Sequence, residues 1–204
     1  MTKDWTGNYN AMYRIMGASS HCEDERAQHD YYATSYKATE LLMNLEKFDE
    51  NIWEPAAGEK HITKVLEEHG YKVRNSDIVD RTGDIEILDF LGDLEENSWD
   101  GDIITNPPYK YAKEFVEQSM NVVKPGHKVA MFLKLTFLEG KARRDMFKKY
   151  PPKVVYVSSS RLACWKNGDS KNKKGEYIDG GAVCFCWYIW EKGFTGEPTI
   201  RWFN

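Results

Sequence analysis

The feature that most constrains how this chain can fold is a strand that cannot continue. Ile103-Ile104-Thr105 is a short apolar run approached by Asp100 and Asp102, and Asn106-Pro107-Pro108-Tyr109 comes directly after it. An apolar run of this length, bounded by turn residues, reads as a buried strand. Proline has no N–H to give to a sheet ladder, and it also restricts the residue before it. The strand therefore stops here and delivers Asn106 to its carboxyl end. Pro107 and Pro108 stiffen the backbone beyond the strand, so an amide side chain, a carbonyl with no N–H next in line and an aromatic ring share one rigid corner.

That corner suits chemistry on an exocyclic amine. Such an amine on a nucleobase is a poor nucleophile, because its lone pair is delocalised into the ring. Two acceptors, the Asn106 side-chain oxygen and the Pro107 carbonyl, would draw it towards a tetrahedral nitrogen with an available pair. Tyr109 could stack on a base removed from its helix. Asn-Pro-Pro-Tyr is also a common way to end a strand in a turn, so the rest of the chain has to support the reading.

Three further stretches end strands in a similar way. Asn51-Ile52-Trp53-Glu54 leads into Pro55-Ala56-Ala57-Gly58-Glu59-Lys60, and a helix over 61–69 closes at Gly70. Small residues there let backbone N–H groups approach a ligand at a helix N-terminus. Tyr71 to Asp77 is a strand ending in an acid 19 residues past Gly58, a spacing at which an acid can hold ribose hydroxyls in a βαβ nucleotide site. Ile85 to Phe90 ends in a second acid, Asp89. Either acid could also cap its own turn. Ahead of these, Thr34 or Ser35 is expected to N-cap a helix over Tyr36 to Lys47, with hydroxyl and backbone donors placed for a small carboxylate.

Downstream, helices are expected over Tyr111 to Asn121 and Gly140 to Lys149, the second one basic. Strands are expected over Val129 to Leu133, Val154 to Val157 and Ala182 to Trp190, with Thr199 to Phe203 either adding an edge strand or packing on the core. The near-continuous apolar character of Val129 to Leu133 predicts a strand covered on both faces. Residues 158–181 read as a long substrate-facing loop anchored by Arg161 and Trp165. The polar arm 1–29 contains His21, Cys22, Glu23 and His29, whose spacing fits no usual metal-ligand pattern, and residues 30–204 read as one domain.

Charge is strongly polarised although the net charge is only −4. Residues 1–109 hold 10 basic against 23 acidic side chains, and residues 110–174 hold 16 against 5. A molecule so divided can steer a polyanion onto one face. Four cysteines without Cys-x-x-Cys spacing argue for reduced thiols in a cytoplasm and no metal. No run is long enough to span a bilayer, so no membrane partner is expected.

Alternating strands and helices define an α/β doubly wound, Rossmann-like sheet, in which ligands bind beyond the carboxyl ends of strands. On Glu-Pro-Ala-Ala-Gly (54–58) and Asn-Pro-Pro-Tyr (106–109), the chain over roughly 30–203 resembles the class I S-adenosylmethionine-dependent DNA adenine-N6 methyltransferases, small phage-type, with a gamma-like motif order. The resemblance implies a mostly parallel seven-stranded sheet of order 3-2-1-4-5-7-6, with the last strand antiparallel. It implies S-adenosyl-L-methionine held by Tyr32, Thr34, Glu54, Pro55, Ala56, Gly58, Asp77, Asp89, Phe90 and Asn106. Asn106, Pro107, Pro108 and Tyr109 would be catalytic, without a metal. DNA, engaged by base flipping, would meet Tyr109, Lys110, Lys141, Arg143, Arg144, Arg161 and Trp165.

Two departures stand out. Lys60 occupies the position of the family's usual second glycine, and where the family usually carries a large target-recognition domain, the 158–181 loop is expected to read the bases here. The same amine-activating corner would serve an RNA adenine-N6 or guanine-N2 enzyme or a glutamine-N5 enzyme. A catalytically dead binding protein of the same fold is the alternative from another class.

Overall fold

The computed structural model describes residues 32–166, 175 and 183–204. The 1–29 arm lies outside the described residues, as do Lys171, Lys173 and Lys174 of the 158–181 segment, which the sequence reading expects to contact phosphates. The elements in chain order are β1 (Tyr32–Thr34), α1 (Tyr36–Leu45), β2 (Asn51–Glu54), α2 (His61–Glu68), β3 (Lys72–Asp77) and β4 (Glu86–Ile87). β5 (Asp102–Thr105) runs through the 3-10 turn Tyr109–Tyr111 into α3 (Ala112–Val122) and β6 (Lys128–Lys134). The 3-10 turns Leu135–Leu138 and Lys141–Arg143 precede α4 (Arg144–Lys149), β7 (Val154–Ser158), β8 (Cys164–Lys166), β9 (Phe185–Glu191) and β10 (Thr199–Phe203).

The main sheet runs β4-β3-β2-β5-β6-β9-β7-β10. This is the expected 3-2-1-4-5-7-6 order with one strand added, because β10 pairs parallel to β7 along its whole length and makes an eighth strand. Only β9 is antiparallel to its neighbours, β6 and β7. Side-chain alternation divides the sheet between two cores. Ile103, Val129, Met131 and Leu133 face Phe115, Val116 and Met120 of α3, and Ile104, Ala130 and Phe132 face α1 and α2 on the other side. β6 is buried throughout Val129–Leu133, as a strand covered on both faces must be.

Several local expectations change. The 158–181 segment is not loop throughout: Cys164–Lys166 forms β8, which pairs antiparallel with β1 in a separate two-stranded ribbon. β1, directly ahead of α1, is the other half of that ribbon. The basic helix starts late, since Gly140 at φ +109 breaks it and the α-helical part begins at Arg144. The last long strand begins at Phe185, with Val183 and Cys184 outside it. Ser35 occupies the N-cap position of α1, but its hydroxyl caps nothing; the Ala38 N–H goes to the Ser35 carbonyl at 2.9 Å.

Candidate functional site

β2, β3 and β5 are parallel, so Glu54, Asp77 and Asn106 arrive at one edge of the sheet. The strand order reverses between β2 and β5, and a crevice opens at that point. A cavity of about 520 Å³ lies there. Its walls include Tyr32, Ala33 and Thr34 of β1, Glu54 to Ala57, Asp77, Asp89 and Phe90, and Asn106, Pro108, Lys110 and Tyr111. Glu54, Asp77, Asp89 and Asn106, from four separate stretches of sequence, thus meet around one space.

Asp77 is built into the glycine turn. Its Oδ2 accepts the Gly58 N–H at 2.9 Å, and its Oδ1 accepts the Val79 N–H at 3.0 Å. Arg81 Nη1 lies 3.5 Å from the same Oδ1 and also lines the cavity. Gly58 takes φ +54, and Lys60 takes φ +61 with ψ 35, a left-handed conformation that glycine adopts most readily. Lys60 Nζ then reaches Asp84 at 2.6 Å.

Glu54 is buried, and desolvation raises its pKa from 4.5 to about 8, against the lowering effect of hydrogen bonds from Thr63. Its Oε2 accepts the Thr63 N–H at 3.0 Å and is hydrogen-bonded to Thr63 Oγ1, which also contacts Asn75 Oδ1. A hydroxyl has one proton for two such neighbours. A neutral Glu54 donating to Thr63, which donates onward to Asn75, satisfies the chain. Asp89 Oδ1 accepts the Leu91 N–H at 2.9 Å. Phe90 packs edge-on to Trp53 and tilted against Phe115, each at 5.1 Å between ring centroids.

At the Asn-Pro-Pro-Tyr corner, Asn106 Nδ2 donates to the Tyr32 carbonyl at 2.6 Å. Its Oδ1 is enclosed and has no hydrogen-bond partner among the described residues. Thr34 lines the same cavity, and its hydroxyl is likewise buried without a partner among the described residues. Pro107 is buried behind the corner. Tyr109 is half-buried and does not line the cavity. Its ring lies 5.5 Å from Tyr32 and 5.9 Å from Phe185, with Lys134 Nζ 5.1 Å over it, and its hydroxyl meets Cys164 Sγ at 3.2 Å. Tyr111, half a turn further on, reaches the cavity mouth instead.

The outer residues expected to meet substrate are spread widely. Lys110, Lys141, Arg144 and Arg161 are exposed. Trp165 is buried, edge-on to Tyr36 and His61. Arg143 is turned inward: its Nε donates to the Phe137 carbonyl at 2.8 Å, and its Nη2 donates to the Glu139 carbonyl. Sequence reasoning missed His61, Arg81 and Tyr111 on the cavity wall. Their only signal was proximity: His61 opens the helix after the glycine turn, Arg81 follows Asp77 by four and Tyr111 follows Tyr109 by two. Burial holds the His61 imidazole below its ordinary pKa.

No protein-family profile and no curated protein matches the chain by sequence. Solved structures do match by shape. The modification subunit of a provisionally assigned type I restriction enzyme from Vibrio vulnificus matches with a TM-score of 0.58 at 12% identity, over 95% of this chain and 50% of that one. A provisionally assigned RNA methyltransferase from Pyrococcus horikoshii gives 0.56 at 12% identity, over 93% and 100%. A provisionally assigned class I S-adenosylmethionine-dependent methyltransferase from Listeria monocytogenes gives 0.51 at 15%, over 95% and 70%. The fold is that of class I S-adenosylmethionine-dependent methyltransferases. Among the described residues no helix is long and apolar enough to cross a membrane.

Proposed function

We propose that this chain is an S-adenosylmethionine-dependent amino-methyltransferase acting on the N6 amine of adenine in DNA. The observation that carries the reading is the enclosed, unpartnered Asn106 Oδ1 beside the cavity. A buried acceptor left without a donor costs about 1–3 kcal/mol, so such a group calls for a reason. An amine donor arriving from a substrate supplies one.

The residues present fit the cofactor. A cavity of about 520 Å³ suits a nucleoside with an amino-acid tail. Asp77 at the end of β3 suits ribose hydroxyls, Asp89 and Phe90 suit an adenine, and Thr34 has a free hydroxyl for a carboxylate. Glu54 and the small residues after it suit the methionine portion. Bound there, S-adenosylmethionine supplies an electrophilic methyl group on a sulfonium, which needs no metal and no covalent enzyme intermediate.

Asn106 Oδ1 and the Pro107 carbonyl both accept from the target amine and prepare its lone pair. The Tyr32 carbonyl holds the Asn106 amide nitrogen, so the oxygen is the atom left to face a donor. DNA is favoured over a protein glutamine by the basic excess after residue 109 and by the exposed Lys110 at the cavity rim.

The test is labelled S-adenosylmethionine with duplex DNA, single-stranded DNA or RNA, read by nucleoside mass spectrometry. N6-methyladenine in DNA supports the proposal; methylation of RNA alone replaces DNA with RNA as the substrate. Asn106→Ala is expected to slow transfer by two to three orders of magnitude, roughly 3–4 kcal/mol, while cofactor affinity holds. Asn106→Asp keeps part of the rate, since a carboxylate still accepts. Transfer by Asn106→Ala at the wild-type rate defeats the mechanism.

A further inference from the structure

Cys164 belongs to neither motif of the resemblance, yet β8 sets its sulfur against the catalytic corner. Cys164 Sγ lies 3.4 Å from Asn106 Nδ2, 3.2 Å from Tyr109 Oη and 3.6 Å from the Tyr32 carbonyl oxygen. The Asn106 amide nitrogen carries two hydrogens, and these contacts use both: one goes to the Tyr32 carbonyl and one to the sulfur. Turning the amide over would set its oxygen against the Tyr32 carbonyl, acceptor against acceptor. With the thiol proton directed to Tyr32, the sulfur accepts from both Asn106 and Tyr109.

We propose that Cys164 is a positioning residue for methyl transfer, its sulfur holding the Asn106 amide and the Tyr109 hydroxyl in one fixed arrangement so that Asn106 Oδ1 stays aimed at the incoming amine. The inference rests on the amino-methyltransferase reading above. The β1–β8 register adds a second link. Cys164 pairs with Thr34, a residue of the cavity wall, so one ribbon carries both a residue of the cofactor space and a group that orders the catalytic amide.

The sulfur acts as an acceptor and not as a nucleophile. Burial pushes the thiol up to about 11, against the lowering effect of the Tyr109 and Asn106 hydrogen bonds, so it remains neutral at working pH. A neutral thiol is a weak acceptor, which suits holding an amide in place without competing strongly for its hydrogens.

The experiment uses the full chain, with steady-state kinetics of methyl transfer and the infrared S–H stretch, assigned by its loss in Cys164→Ala. Cys164→Ala is expected to lower kcat about tenfold or more while the KM for S-adenosylmethionine stays within about twofold. Cys164→Ser is expected to recover part of kcat, because a hydroxyl can accept from Asn106 and donate to Tyr32. The S–H band is expected to shift in Asn106→Ala, a readout independent of turnover. Wild-type kcat in Cys164→Ala, an equal loss in kcat and cofactor binding, or an unmoved band in Asn106→Ala overturns the proposal. Should Cys164→Ala not fold, loss of the S–H band in Cys164→Ser makes the assignment, and the band in Asn106→Ala together with the Cys164→Ser kinetics decides. A wild-type enzyme inactive on every nucleic acid, or indifferent to Asn106→Ala, defeats the functional reading instead.

Discussion

Asp77 Oδ2 accepts the Gly58 N–H at 2.9 Å, which ties the end of β3 to the turn after β2. The carboxylate is therefore a structural part of the cavity wall as well as a candidate ligand for a ribose. Asp77→Ala would remove a charged acceptor from two backbone N–H groups, those of Gly58 and Val79. The expected result is at least tenfold weaker cofactor binding, about 1.4 kcal/mol, together with a stability loss of roughly 1–3 kcal/mol. Calorimetry and thermal unfolding on the same sample check both. Unchanged cofactor affinity in a folded variant would remove Asp77 from the site.

Glu54 gives a pH signature. Its pKa rises from 4.5 to about 8 because burial penalises the carboxylate. The folded protein thus binds a proton that the unfolded chain releases above the ordinary carboxylate range. Stability contributed by this group is full below about pH 4.5, declines as pH rises and is lost above about 8, amounting to a few kcal/mol. Glu54→Gln should flatten the dependence between pH 5 and 8.5 and be the more stable protein at the upper end. Chemical denaturation at the two ends of that window measures it. A wild-type stability that rises with pH to the same degree as in Glu54→Gln would mean the carboxyl is ionised throughout.

Lys60 tests how far a family pattern dictates geometry. A side chain stands where the resemblance expects glycine, yet the backbone keeps a left-handed φ of +61. A non-glycine residue there costs roughly 1–2 kcal/mol, part of which the exposed pair with Asp84 can offset. Lys60→Gly should therefore be more stable than Lys60→Ala by about 1 kcal/mol, since neither can pair with Asp84 and only alanine keeps the strain. Equal unfolding midpoints for the two variants would mean that the turn relaxes when the lysine is removed.

The strand ends were legible because period-2 and apolar runs stop at residues that cannot extend them, as at Glu54-Pro55 and Asn106-Pro107. Parallel pairing then brought Glu54, Asp77 and Asn106 to one edge without further information. The β1–β8 ribbon was not legible. Three-residue strands about 130 positions apart carry no periodicity, and their pairing depends on Ala33, Ala163 and Trp165 packing as a small cluster of their own. The contact of Cys164 with Asn106 was hidden for the same reason. Trp165 looked like an outward anchor because the 158–181 segment is rich in Ser, Gly, Lys and Asn, whereas its ring turns in against Tyr36 and His61.

Composition alone could not separate the basic residues that meet solvent from those that hold the fold, and 140–149 shows the difference. Lys141 and Arg144 are exposed. Arg143 instead donates to the carbonyls of Phe137 and Glu139 and lies 5.0 Å over the Phe137 ring, in space that Gly140 leaves open. If this surface meets a polyanion, Lys141→Glu with Arg144→Glu should weaken nucleic-acid binding about equally across sequences. The dependence of log affinity on log salt should flatten by about two, one unit for each phosphate no longer neutralised. Arg143→Ala should behave differently, losing roughly 0.5–1.5 kcal/mol of stability as the carbonyls of Phe137 and Glu139 lose their donor, with the salt slope unchanged. Fluorescence anisotropy across a salt series, run beside thermal unfolding, distinguishes the two kinds of residue. An unaltered slope in the double charge reversal would leave Lys141 and Arg144 as a solvated face and move the search for phosphate contacts to Lys110 at the cavity rim.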